Sequence, residues 1–282
     1  DHIIDMGPMA GENGGEIIFS GNFDQILKSK NSLTAQFMRG EKKITIPKQR
    51  IKGNSYINIL GAHENNLKDI DLKIPLNCIV SVTGVSGSGK TSLIKNIIYN
   101  GIKKLSNGSE NNLKSYKHLS YDNNAFSEIE FIDQNPIGKS SRSNPTTYIK
   151  AYDSIRKLMA NQQHSKISGF TAGHFSFNSD SGRCGVCKGA GTTTIEMQFL
   201  PDISLTCEEC KGLRFKSNIL EVKYKGHNIH DILNLTVDNA IELFKDEKDI
   251  CKRISPLQMV GLGYIRLGQA SSTLSGGEAQ RV

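Results

Sequence analysis

The chain has 282 residues, which at roughly 150 residues per domain corresponds to about two domains. Hydrophobic residues make up 37% and charged residues 22%, enough apolar surface for cores and too much for wholesale disorder. Lys and Arg number 35 against 28 Asp and Glu, a net charge of +7, which permits a polyanionic partner without requiring one.

The opening residues Asp1-His2-Ile3-Ile4-Asp5 lack an initiating Met and a basic-then-apolar leader, and read as a cut edge of a longer chain. Gly11-Glu12-Asn13-Gly14-Gly15 suits a turn and Glu16-Ile17-Ile18-Phe19 a short strand. The basic stretch Arg39–Lys52 reads as an exposed linker. Ile57–Pro75 has the pattern strand, turn, strand, and the β-branched run Cys78–Thr83 suits a buried parallel strand. A helix is expected over Ser92–Asn100, a surface loop over 106–124 and a strand over Ser127–Asp133. Thr147–Met159 places Ile149, Tyr152, Ile155, Leu158 and Met159 at helical spacing. Strand, helix, strand order implies a parallel α/β core. The longest apolar run, Cys78–Val85, is broken by Ser81, Thr83 and Gly84 and falls far short of the ~18 residues of a membrane span. A soluble protein with no membrane partner is expected.

Gly84-Val85-Ser86-Gly87-Ser88-Gly89-Lys90-Thr91 matches G-x-x-x-x-G-K-[ST] between an expected strand and a helix opening at Ser92. Backbone N–H groups of such a loop close around phosphate oxygens, and Gly84, Gly87 and Gly89 let the backbone approach them. Gly84 through Ser92 is therefore the candidate ATP-binding set. Lys90 is expected at the β and γ phosphates and Thr91 on Mg²⁺. Gln134, just after the expected strand, is a candidate for orienting water or metal at the γ phosphate, although a lone glutamine is more often a surface residue.

Cys184-x-x-Cys187 and Cys207-x-x-Cys210 are separated by 19 residues, within the window of a four-thiolate Zn²⁺ site. Four thiolates leave no coordination position open, so the zinc is structural. With no sign of secretion, paired disulfides are disfavoured and a reducing cytoplasm is expected. His227 and His230 are weaker candidate ligands, and Cys78 and Cys251 are expected to be small buried hydrophobes. Cys184-Gly185-Val186-Cys187-Lys188-Gly189-Ala190-Gly191 also matches the C-x-x-C-x-G-x-G repeat of DnaJ-type chaperones, which offers a protein-binding zinc module as an alternative.

Leu274-Ser275-Gly276-Gly277-Glu278-Ala279-Gln280-Arg281 places two glycines ahead of a helix-forming stretch, a helix N-terminus suited to an anion. LSGGE followed by Gln280 and Arg281 resembles the signature of ABC-type ATPases, in which one domain's signature closes over nucleotide held by another domain's phosphate loop. Gln134 is then the Q-loop glutamine. Lys90 and Ser275 lie 185 positions apart, and that interval holds the cysteines. Together with the strings Asp133–Gly138, Arg142–Pro145, Phe175–Asn178, Phe199–Asp202 and Ile265–Gln269, the chain closely resembles the UvrA family, the damage-recognising ATPase subunits of bacterial nucleotide excision repair. Two departures are Thr91 for the more usual Ser and Asp180 in a stretch where the family often carries Lys and Gly.

The resemblance implies an ABC-type P-loop ATPase core with an inserted helical signature domain and a zinc-binding module. Residues 1–40 would end a first ATPase domain and 41–56 link it to a second. The second would comprise the core 57–150, the insertion 151–263 with its zinc module 184–210, and the signature segment 264–282, ending before its catalytic carboxylates. It further implies lesion-bearing duplex DNA, a homodimer, transfer to UvrB and a place in the SOS response. Lys139, Arg142, Lys211, Arg214 and Lys216 are candidate DNA contacts, expected to meet phosphates because a lesion occurs in any sequence. A transport ATPase lacks the cysteine insertion, whereas a UvrA-like paralogue used in antibiotic self-resistance fits the same residues.

Overall fold

The computed structural model describes residues 1–282 except 109–114, 123, 134, 136, 139–141, 196 and 198–202. The chain divides into two compact units, Lys43–Asp133, and Asp1–Lys42 together with Gln134–Val282. Among the described residues the strands are β1 (Ile3–Gly7), β2 (Glu16–Gly21), β3 (Tyr56–Ala62), β4 (Ile70–Pro75), β5 (His118–Ser120), β6 (Thr192–Ile195) and β7 (Ile203–Thr206).

In the smaller unit β3 is central, flanked by β4 and β5 in an antiparallel sheet. Its alternation buries Ile57 and Ile59 on one face, and Ile59 faces Leu72 and Leu119 across the two ladders. A π-helix, Ser92–Tyr99, runs directly into an α-helix, Asn100–Ser106. Ile97, Ile98 and Ile102 from this pair close the core against β3, Tyr116 and Leu119.

The expected parallel α/β pairing is not formed among the described residues: every ladder there is antiparallel. Neither Cys78–Thr83 nor Ser127–Asp133 is a strand. A parallel strand must be covered on both faces and paired on its flanks, and no described strand pairs with either run. Ile79 is fully exposed, and Val80 and Val82 keep about two-fifths of their surface.

The larger unit is mainly helical. Helices Ala151–Ala160, Ile229–Asn234, Val237–Leu243 and Lys248–Met259 surround a core that includes Ile155, Met159, Phe175, Phe177, Phe215 and Phe244. Tyr152 spans it, stacking on Phe177 at 4.9 Å while its hydroxyl donates to the Phe175 carbonyl at 2.6 Å. The single helix expected over 147–159 is instead two. Asn144 caps Pro145–Tyr148 by accepting the Thr147 N–H, and Lys150 at φ +60° interrupts before the second helix opens at Ala151. Antiparallel β1 and β2 form a hairpin, tied to the helix Leu33–Met38 through Asp5, which accepts Ser32 Oγ at 2.6 Å and Thr34 Oγ1 at 2.8 Å.

Residues 43–52 carry no helix or strand and are exposed. Cys78 and Cys251 are half-buried rather than buried, and Cys251 donates to the Phe244 carbonyl. Among the described residues no helix is long and apolar enough to cross a membrane.

Candidate nucleotide and zinc sites

The loop Gly84–Thr91 leads into the π-helix with its residues 84–88 exposed. Gly89 sits at φ +98°, and a Cβ there would stand 2.8 Å from Asn66 Oδ1 and 2.9 Å from Leu67 Cδ2, so only glycine fits. Asn66 braces the loop from the other side by donating to the Gly87 carbonyl at 2.9 Å, and Asn65 donates to Ser92 Oγ at 2.9 Å. The motif alone does not reveal these two asparagines; Asn65 at φ +54° marks the turn after β3 that presents them. Lys90 Nζ donates to the carbonyls of Gly84 at 2.9 Å and Val85 at 2.8 Å. Two of its three donors thus hold the ammonium over the loop, leaving one for a phosphate oxygen. Asn66 and residues 87–92 line a depression of about 180 Å³. Gln134 lies outside the described residues.

The four cysteines converge. All are buried, and their sulfurs lie within 4.8 Å of one another, with Cys184–Cys207 at 3.9 Å and Cys187–Cys210 at 3.6 Å. A tetrahedron with Zn–S arms of ~2.3 Å has edges of about 3.8 Å, so the spacing fits zinc. No other His, Asp or Glu joins this cluster among the described residues. The two halves repeat one turn. Lys188 and Gly189 stand at φ +50° and +83°, and Lys211 and Gly212 at +49° and +84°. Each sequence Cys-Lys-Gly thereby curls back behind its sulfur, and Gly191 donates its N–H to Cys187 Sγ at 3.3 Å. Backbone N–H groups, that of Cys210 first, lower the Cys207 thiol to about 7, whereas burial pushes Cys210 up to about 12.

The signature forms the helix Gly276–Arg281. Ser275 Oγ accepts the Glu278 N–H at 3.3 Å, and Glu278 Oε2 accepts the Ser275 N–H at 2.7 Å, a capping box. Arg281 ties the far end to the Val260 carbonyl at 3.2 Å.

The candidate DNA-contacting residues are placed unequally. Lys139 lies outside the described residues. Lys211 is exposed, and Lys216 Nζ donates to the Asp180 and Ser181 carbonyls at 3.2 and 3.4 Å. Arg214 is half-buried and donates to the Gly268 carbonyl at 3.3 Å. Arg142 offers its carbonyl to the Asn144 side chain. Asp180 pairs with Arg183 at 2.6 Å, so this departure from the family pattern is locally neutralised.

No family model matches the chain. UvrABC system protein A of Clostridium perfringens is 49% identical over 284 residues, and that of Listeria monocytogenes serotype 4b is 45% identical over 283, both covering all of this chain. The crystal structure of UvrA2 from Deinococcus radiodurans matches the whole chain with a TM-score of 0.91 at 40% identity. The chain belongs to the UvrA family. It spans about 30% of the length of these curated relatives and 33% of the UvrA2 chain. An ABC-type ATPase core with an inserted signature region and a four-cysteine module is therefore its fold class, and the DnaJ-like and transporter readings are not favoured by a likeness that runs from end to end.

Proposed function

We propose that the chain acts within a UvrA-type ATPase that recognises damaged duplex DNA in nucleotide excision repair and passes it to UvrB. The observation that carries this is the braced phosphate loop within a chain that is UvrA-like throughout. In this reading the backbone of Gly84–Gly89 cradles the ATP phosphates, Lys90 neutralises charge at the β and γ positions, and Thr91 holds Mg²⁺. Gln134 orients water or metal at the γ phosphate. The signature Leu274, Ser275, Gly276, Gly277, Glu278 and Gln280 closes over nucleotide on a facing ATPase domain, so ATP turnover is coupled to pairing of domains and, in the cytoplasm, to a UvrA homodimer.

Zinc at Cys184, Cys187, Cys207 and Cys210 fixes the second of the two turns, which carries Lys211 and leads on to Arg214 and Lys216. With Lys139 and Arg142 these supply phosphate contacts that read DNA by deformability rather than by base sequence. Duplex affinity measured with and without a bulky lesion, each in the presence and absence of Mg-ATP, tests the reading. Preference for the lesion that disappears in Lys90→Ala supports it, and equal affinity for both duplexes, with or without ATP, overturns it.

A further inference from the structure

The signature helix Gly276–Arg281 has six residues, too few to hold a direction without tertiary contacts. Those contacts come from the segment 260–266. Arg281 Nη1 donates to the Val260 and Gly261 carbonyls at 3.2 and 3.4 Å. The Tyr264 hydroxyl donates at 2.6 Å to Glu278, whose other carboxylate oxygen holds the Ser275 N–H at 2.7 Å. Where the Tyr264 ring lies therefore sets where Ser275 points.

A distant part of the chain bears on that ring. The tight turn Gly11–Asn13, between β1 and β2, lies against it. A Cβ on Gly11 would stand 2.9 Å from Tyr264 Cβ and 3.3 Å from Cδ2, and the backbone there is at φ +62°, so only glycine permits the approach. The next residue, Glu12, pairs with Arg266 at 3.1 Å. Behind the segment, the Ile265 carbonyl accepts the Val237 N–H at 2.9 Å, so residues 264–266 are bonded to the helix Val237–Leu243 and to the hairpin turn alike. The hairpin itself needs neither turn contact, because its strands pair from Ile3 with Gly21 to Gly7 with Glu16 and the Gly14 N–H closes the turn on the Gly11 carbonyl at 3.1 Å.

We propose that the Gly11–Glu12 turn and Tyr264 form a positioning relay for the signature: the turn fixes Tyr264, and Tyr264 through Glu278 aims Ser275 at nucleotide on the facing ATPase domain. Gly11, Glu12 and Tyr264 act through Ser275 and are positioning residues. The relay rests on the reading that this signature closes over nucleotide.

The test measures steady-state ATP hydrolysis by the full-length protein, with zinc content as the check on folding. Tyr264→Phe and Gly11→Ala should each lower kcat about fivefold at unchanged KM. Gly15→Ala is the control. Its φ of +85° imposes a similar backbone strain, but its Cβ would meet nothing within 4 Å, so wild-type kcat is expected. Glu12→Gln should cost about twofold, since both partners of its ion pair are more than half exposed. Gly11→Ala combined with Tyr264→Phe should fall no further than Tyr264→Phe alone, because the displaced ring has no bond left to lose. Wild-type kcat in both Tyr264→Phe and Gly11→Ala, equal losses in Gly11→Ala and Gly15→Ala, or multiplied losses in the double variant would each overturn the relay. Should Gly11→Ala lose zinc, Tyr264→Phe and Glu12→Gln decide, and wild-type kcat in both overturns it. Ser275→Ala separates the two readings. If it lowers turnover while Tyr264→Phe and Gly11→Ala do not, the relay alone fails; if Ser275→Ala turns over ATP like wild type, the signature reading fails and the relay with it.

Discussion

The Tyr264 hydroxyl donates to Glu278 Oε1 at 2.6 Å while the other oxygen of the same carboxylate accepts the Ser275 N–H at 2.7 Å. One side chain thus both caps the signature helix and anchors it to the preceding segment. Tyr264→Phe removes one of these bonds, and a loss of about 1 kcal/mol in denaturant-measured stability is expected. Burial pushes the Glu278 carboxyl up, but hydrogen bonds from Tyr264 and Ser275 outweigh it and hold the group below the usual glutamate range. Its folded-state pKa is depressed, so its contribution is present above the ordinary glutamate titration and is lost as pH falls through the lowered value. Glu278→Gln should flatten the acid limb of a stability–pH curve; an unchanged limb would show that this carboxylate does not contribute to it.

The two Cys-Lys-Gly turns of the four-cysteine cluster support a second expectation. Each of Cys184→Ser, Cys187→Ser, Cys207→Ser and Cys210→Ser should lose tightly held zinc, read by metal analysis, with the phosphate-loop unit still folded. Because the thiols must shed protons to bind, with burial raising Cys210 to about 12 and backbone N–H groups lowering Cys207 to about 7, zinc affinity should fall as pH falls. Release to a chromophoric chelator at two pH values measures this, and pH-independent release would contradict it.

Glycines in this module are not equivalent. A Cβ on Gly189 would meet the Phe177 carbonyl oxygen at 2.5 Å with the backbone at φ +83°, whereas one on Gly185 meets nothing within 4 Å. Gly189→Ala is expected to cost about 1–3 kcal/mol and to weaken zinc binding, and Gly185→Ala to change neither. Equal effects in a denaturation series would refute the assigned turn geometry.

Legibility in the sequence follows the range of the interactions. The cysteine spacing, the phosphate loop and the signature are local patterns, and each appears where its residues stand because a turn or cap needs particular side chains at fixed offsets. The strand pair at Ile57–Pro75 is readable for the same reason. Cys78–Thr83 is not, because its β-branched composition records a preference for a covered sheet position, and whether a strand forms depends on partners elsewhere in the chain. The break at Lys150 is hidden by an unbroken apolar period, since one left-handed residue leaves that period intact on both sides. Asn66 and Tyr264 escape a reading of motifs because their roles rest on contacts to residues 87 and 278, which no short window contains.

Binding of Mg-ATP by wild type and by Lys90→Ala, compared at equilibrium with a fluorescent analogue, is the sharpest check on the nucleotide site. Lys90 is held over the loop by the Gly84 and Val85 carbonyls, so removing its ammonium should weaken nucleotide binding at least tenfold, about 1.4 kcal/mol, with zinc content unchanged. Equal affinity in the two proteins would contradict the assignment of this loop as the nucleotide site.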